Sequence, residues 1–480
     1  MRRSLPLILA VVSAVAPAAA GGDSFEEFVK ATRNEFEQFR SDILSEYTSF
    51  VADPWQEFNE TAPVPEPQPA PVPPIDYEPA PVEPRPVVID EVIRPIVPAP
   101  QPRPVEPIEP VRVPVTSKLN FTFYGTPASV RLNTSALPML RGSSERDVAS
   151  FFDELSGMQA SDALLQDCIE LRNSHKLSDW AYLNMLDCLG RAAYPSNGNA
   201  AEMLTAFIFV RSGYQMRPAL DRSGQLFLLY GTKHLIYNRN SFVVDGVSYY
   251  SLRDLPSQLQ ICRATFPGER PLSLTVDTDQ VFAMDPTETR TITSRRYPQM
   301  SYDVTVNRNR LTFYESYPSS CINNRMMTRW AMYARTPMDH TISDTLYPAI
   351  RTAVQDKSSA EAVQMILNFV QTAFVYGYDD QIWGHDRAFF PEETLYYPKS
   401  DCEDRAILFT RLVRDITGLD CVLVYYPGHL AAAVDLGNYD GDWLEVDGRR
   451  FTIADPTYVN APVGETMPNM DNSSAVAIIL

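Results

Sequence analysis

Cysteine is scarce in this chain, six in 480 residues, so disulfides can supplement a hydrophobic core but not stand in for one. Positive charge is also in deficit. With 41 Lys and Arg against 60 Asp and Glu the formal charge is −19, a balance that repels nucleic acid and anionic lipid and argues against binding either. The apolar segment near the start, Leu5 to about Ala16, is too short to span a bilayer, and no cysteine follows it to take a lipid anchor. There is no internal repeat. What is present is 45% hydrophobic content over a length that suits two or three ordinary domains, each able to bury a core.

Arg2 and Arg3 ahead of that apolar segment, and Ala18-Ala19-Ala20 after it, have the layout of a secretory signal over residues 1–20. The mature chain is then expected to be exported, periplasmic or extracellular, and not membrane-spanning. Phe25, Val29, Thr32, Phe36, Phe39, Ile43, Tyr47 and Phe50 recur in steps of three and four, all apolar or aromatic except Thr32, which predicts an amphipathic helical arm within 21–60. Such an arm can dock on its own chain or reach a protein or envelope partner. Between Thr61 and Thr116 stand 19 of the 40 prolines. Few aromatics accompany them, so residues 61–117 are expected to be a disordered, extended polyproline linker.

Globular texture begins at Lys118. FTFYGTPASVRL alternates like a strand, and Glu145 to about Ser212 has helical periodicity, giving a mainly helical domain over 118–235. GQLFLLYG, HLIYNRNSFVVDGVSYYSL and YDVTVNRNRLTFYESY read as strands and hairpins, and a β-rich domain is expected over 236–337. From 338 to 480 helices at TLYPAIRTAVQ and SAEAVQMILNFVQTAF precede a further helix and the strands CVLVYYP, HLAAAVDL, DWLEVDG and FTIADPTY. Cys168 and Cys188 lie in two helices joined by a short connection and could meet as a disulfide; Cys262 and Cys321 are a looser second pair. Cys421 reads as inert strand core. That leaves Cys402, in YPKSDCEDRAILF, as the cysteine with polar neighbours.

A helix beginning at Cys402 accounts for its surroundings: Ala406, Phe409, Val413 and Ile416 mark an inward face, Gly418 a C-terminal stop, and acids suit the first turn. The helix terminus favours a thiolate, whereas Asp401, Glu403 and Asp404 disfavour it. This cysteine therefore needs an imidazole. His429 opens the strand HLAAAV 27 residues later, and Asp455 stands 26 residues beyond that, at the end of a strand. Together they form the nucleophile, base and orienter that acyl transfer requires. His385 reads as a loop residue. Asp379, Asp380, Glu392 and Glu393 could make a cation site, but acids in exposed loops are usually just solvated, and no metal or other cofactor is assigned.

The run DCEDRAILFTRLVRDITGLDCVLVYYPGHLAAAV, with ADPTY downstream, resembles the transglutaminase-like cysteine protease superfamily over about Ser343 to Tyr458. The resemblance implies an α+β fold with a papain-like C-terminal core of helices and antiparallel sheet, Cys402 as nucleophile, His429 as general base and Asp455 as orienter. It also implies an upstream oxyanion donor, for which Tyr376, Tyr378, Gln381 and Trp383 are candidates and Tyr376 is preferred, with the Cys402 backbone N–H as a second donor. The chain departs from the family pattern at Ser400, where Gly is frequent, and at His429-Leu430-Ala431, where His-Ala-Trp is frequent. The expected activity is hydrolysis of peptide or isopeptide-type amides through a thioester. Transglutaminase-type crosslinking and a non-catalytic peptide-binding scaffold are the alternatives.

Overall fold

The computed structural model describes residues 55–68, 72–79, 84–94, 104, 117–158, 160–263, 265–266 and 268–480. The expected signal segment, and the expected arm up to residue 54, lie outside them. Helices and antiparallel sheets are interleaved along the chain, an α+β fold. Among the described residues no helix is long and apolar enough to cross a membrane.

Lys118–Phe123 and Thr126–Arg131 pair as a hairpin, its two-residue turn made by Tyr124 (φ 42°) and Gly125 (φ 63°), the left-handed pair that matches strand twist. Four helices follow, Glu145–Ser156, Ser161–Ser174, Asp179–Ala193 and Gly198–Arg211. Three begin at a side-chain cap, on Ser144, Ser178 and Asn197, which satisfies backbone N–H groups that a helix start leaves open. Gly198–Arg211 is buried at every position from Ala200 on, because it lies between the Asp179–Ala193 helix and a six-stranded sheet. In that sheet Leu226, Leu228 and Tyr230 point to the helices while Phe227 and Leu229 point to a second small core. This is the period-two alternation of a strand covered on both faces.

The second six-stranded sheet runs in the order Trp443–Val446, Arg449–Ala454, His429–Val434, Cys421–Tyr426, Ala475–Ile479 and Ile89–Ile93. One face carries Cys421, Ala432, Val434 and Ala454 against the helices His340–Val354, Ser359–Ala373 and Cys402–Thr417; the other carries Val422, Val424, Ala431 and Ile453. Small residues on the central strand allow the Cys402 helix to lie close to it. Gly418 ends that helix with φ 73°, a conformation that only glycine takes at little cost.

Four expectations are corrected. The proline-rich segment is not a linker throughout: Ile89–Ile93 adds a parallel edge strand beside Ala475–Ile479, Thr61 bridges Ser241, and Asp76 bridges Val459. Proline-poor stretches such as VVIDEVI retain the N–H groups an open sheet edge can use. At the end of the expected helical arm, Gln56–Asn59 is a strand paired with Gln258–Ile261. The run NRNRLTFYES, read as strand, is the helix Arg308–Ser316, capped by Asn307 and burying Arg310, Leu311, Phe313 and Tyr314; its aromatic content masked a helical spacing. The cysteines form no disulfide. The Cys168 helix packs on Thr126–Arg131 and the Cys188 helix on Lys118–Phe123, so each thiol faces its own surroundings. Cys321, paired across to Leu235, shares a hydrogen bond with the Tyr237 hydroxyl, whereas Cys262 follows a strand of the first sheet.

Arg329 ties the remote parts together. It is 1% exposed and lies 2.5 Å from Glu66 in the proline-rich segment and 2.5 Å from Asp386 near the C-terminal core. Removing one member of a buried ionic group leaves the others uncompensated. Arg329→Met is expected to lower the unfolding free energy by about 3–5 kcal/mol, read by denaturant titration; a loss under about 1 kcal/mol, the value of a surface pair, contradicts this.

Candidate active site

Cys402 is the first residue of its helix, 3% exposed, and lines a cavity of about 320 Å³ together with Gln68, Trp330, Asp379, Asp380, Asp386, Asp401, Glu403, Tyr425, Gly428, His429 and Leu430. Its thiol donates to Glu403 Oε2 at 3.1 Å, and the backbone N–H of Leu430 faces the sulfur. Burial, and then the charges of Glu403 and Asp401, push its pKa well above the ordinary thiol value. At neutral pH the resting sulfur is protonated.

His429 begins its strand directly after the tight turn Pro427–Gly428, in which Tyr426 and His429 pair across and Gly428 takes φ 79°. Proline then glycine at the turn centre is the pattern of a type II turn, where the second residue needs positive φ. His429 Nε2 lies 2.7 Å from Asp455 Oδ2, and both side chains are buried. Asp455 Oδ1 accepts from the N–H groups of Thr457 (2.8 Å) and Tyr458 (3.2 Å), so the carboxylate is fixed at both oxygens. With Nε2–H directed at the carboxylate, Nδ1 is the ring's acceptor; it is buried and has no hydrogen-bond partner. The structure thus joins His429 to Asp455 and sets Cys402 on the same cavity as His429.

Two positioning residues were not legible in the sequence. Gln371, on the helix before the site, donates to the carbonyls of Asp455, Tyr458 and Ala461 at 3.0, 2.7 and 3.2 Å. Arg405, one turn into the Cys402 helix, donates to the carbonyls of Gln371 and Phe374 and to Ser400 Oγ. These bonds lock the Cys402 helix, the preceding helix and the Asp455 loop into one body. A lone Gln inside an apolar helix face was the available signal for the first.

Tyr376 lies on Val375–Tyr376, paired in parallel with Lys399–Ser400. Its ring is under the Arg405 guanidinium at 5.3 Å, and its hydroxyl donates to the Val72 carbonyl at 3.4 Å. Burial and then the Cys402 charge raise its pKa. Tyr378 packs on Tyr376 and Trp383 packs on Arg387 and Phe389; none of the four oxyanion candidates, Tyr376, Tyr378, Gln381 or Trp383, is among the residues that line the cavity. His385 is exposed, with Nδ1 3.1 Å from the Trp383 carbonyl.

Of the four acids expected to be solvated, Asp380 is exposed, but Asp379, Glu392 and Glu393 are buried. Glu392 is wholly buried against Arg310, Tyr314 and the Asp339 N–H, and Glu393 pairs with Arg387 at 2.5 Å; neither faces the cavity. Asp379, Asp386 and Glu403 instead bring carboxylate oxygens within 4.8 Å of one another, as do Asp379, Asp401 and Asp404. Hard oxygen donors of this kind could hold a divalent cation. Asp404 is also committed locally, accepting from the N–H groups of Asp401 (3.1 Å) and Phe389 (2.8 Å).

Burial, and then the charge of Glu403, push the Asp379 carboxyl up to about 8. An acid whose folded pKa exceeds its unfolded value contributes stability below the unfolded value, near 4, and that stability is lost as pH rises to the folded one. Between those limits it costs up to about 1.4 kcal/mol per pH unit. In metal-free buffer, Asp379→Asn is therefore expected to be increasingly more stable than wild type from pH 5 to pH 8, measured by thermal unfolding; parallel curves contradict it. Compared with protein-family models, curated proteins and solved structures, the chain matches none.

Proposed function

We propose that this chain is an exported thiol acyl-transfer enzyme built on a transglutaminase-like core, which hydrolyses peptide or isopeptide-type amides through Cys402, His429 and Asp455. The observation that carries this reading is His429 pinned to Asp455 at 2.7 Å with its other nitrogen buried and bare, while His429 and Cys402 line one cavity. A structural histidine would be satisfied at both nitrogens. A general base needs one of them open.

In the proposed cycle the thiol turns from Glu403 to His429 Nδ1, which takes its proton as the sulfur attacks the amide carbon. Asp455 stabilises the imidazolium that forms. The carbonyl oxygen gains the electron pair and is met by the Cys402 N–H, free of an intrahelical acceptor at the helix start, and by the Tyr376 hydroxyl. Collapse expels the amine with the proton from Nδ1 and leaves a thioester. Water, deprotonated by the same nitrogen, then releases the acid and restores the thiol. An amine in place of water would give transamidation.

Steady-state hydrolysis of a peptide-amide library tests the assignment. Cys402→Ala is expected to fall to background. His429→Ala should lose about 10²–10⁴-fold in kcat, the usual worth of a general base. Turnover that survives Cys402→Ala removes the reading.

A further inference from the structure

The proline-rich segment touches the candidate site at successive points. Glu66 is held by Arg329, whose other nitrogen holds Asp386. Gln68 lines the Cys402 cavity and accepts from the Asp386 N–H at 3.1 Å. Val72 donates its N–H to the carbonyl of Gly428, the residue before His429, at 3.0 Å, and its carbonyl accepts from Tyr376. Ile75 and Tyr77 then exchange backbone bonds of 2.9 Å with Val459, four residues past Asp455. The described residues of the segment thus reach the cavity wall and both strand ends that carry the histidine and the aspartate.

The chemistry of these contacts is that of a bound peptide. Pro71, Pro73 and Pro74 have no N–H, so Val72 supplies the one backbone donor in that run, and it is spent on the Gly428 carbonyl. A proline-rich chain is already extended and loses little entropy on docking. We infer that this segment is a self-bound peptide ligand of the Cys402 cleft, occupying the Gly428 carbonyl and Tyr376 hydroxyl that an extended substrate backbone would use, so that substrate enters by displacing it. Displacement by a substrate rests on the hydrolase reading; the occupancy does not.

The test uses the full chain carrying Val72→Pro, which deletes the single N–H, and separately Gln68→Ala, an exposed position. Two rates are read: alkylation of Cys402 by iodoacetamide, followed by peptide mass mapping, and amide hydrolysis. Loss of one backbone hydrogen bond is expected to raise Cys402 alkylation about fivefold, with Cys168 in the helical bundle unchanged. A synthetic peptide of residues 62–77 added in trans should reverse the rise, and the same peptide with proline at position 72 should not. Faster alkylation without any hydrolysis supports the inference and sinks the hydrolase reading. Alkylation at the wild-type rate in both variants, or a rise shared with Cys168, overturns the inference.

Discussion

Arg329 is the charge around which the site is built. It is a guanidinium taken almost wholly out of water, and its two carboxylate partners come from segments over 300 residues apart, Glu66 and Asp386. Burying such a group is costly unless its donors are met with good geometry; here Nη1 meets Glu66 and Nη2 meets Asp386, while Nε is buried without a partner. The consequence is positional. Glu66 brings the proline-rich segment over the C-terminal core, Asp386 fixes the loop that forms one wall of the Cys402 cavity, and Trp330, the next residue, lines the same cavity. Arg405 and Gln371 do the equivalent work on the opposite side, where they tie the Cys402 helix to the Asp455 loop.

Within that frame the thiol faces two opposed influences. The helix start and the Leu430 N–H favour a thiolate, but burial and the carboxylates of Glu403 and Asp401 outweigh them and hold the sulfur protonated. The proposed chemistry therefore runs through proton transfer at the moment of attack and not through a preformed ion pair. Neutralising those carboxylates, by protons or by a cation, would ease it. The same cluster that makes the cavity acidic thus sets how reactive the cysteine is.

Local features of the core were legible because each has a local cause. Gly418 marks a helix end, the runs CVLVYY and HLAAAV have strand composition, and Cys402, His429 and Asp455 stand at element ends where side chains project. The burial of the acids was not legible. Whether Glu392 or Asp379 meets water depends on Arg310 and Arg387, and nothing in the spacing pairs them. Composition misled at the proline-rich segment, since low hydrophobicity predicts disorder only when no partner surface is counted; here sheet edges and Arg329 supply one. The segment Arg308–Ser316 misled for the opposite reason. Its aromatics suit a strand, while burial at positions 310, 311, 313 and 314 fits a helix face.

The central claim is that Cys402 carries the acyl group. Rapid acid quenching during turnover of an activated ester, followed by mass mapping, tests it directly. The account predicts the acyl mass on the Cys402 peptide, absent when His429 is replaced by alanine. Acyl transfer to another residue, or none while product forms, would contradict it.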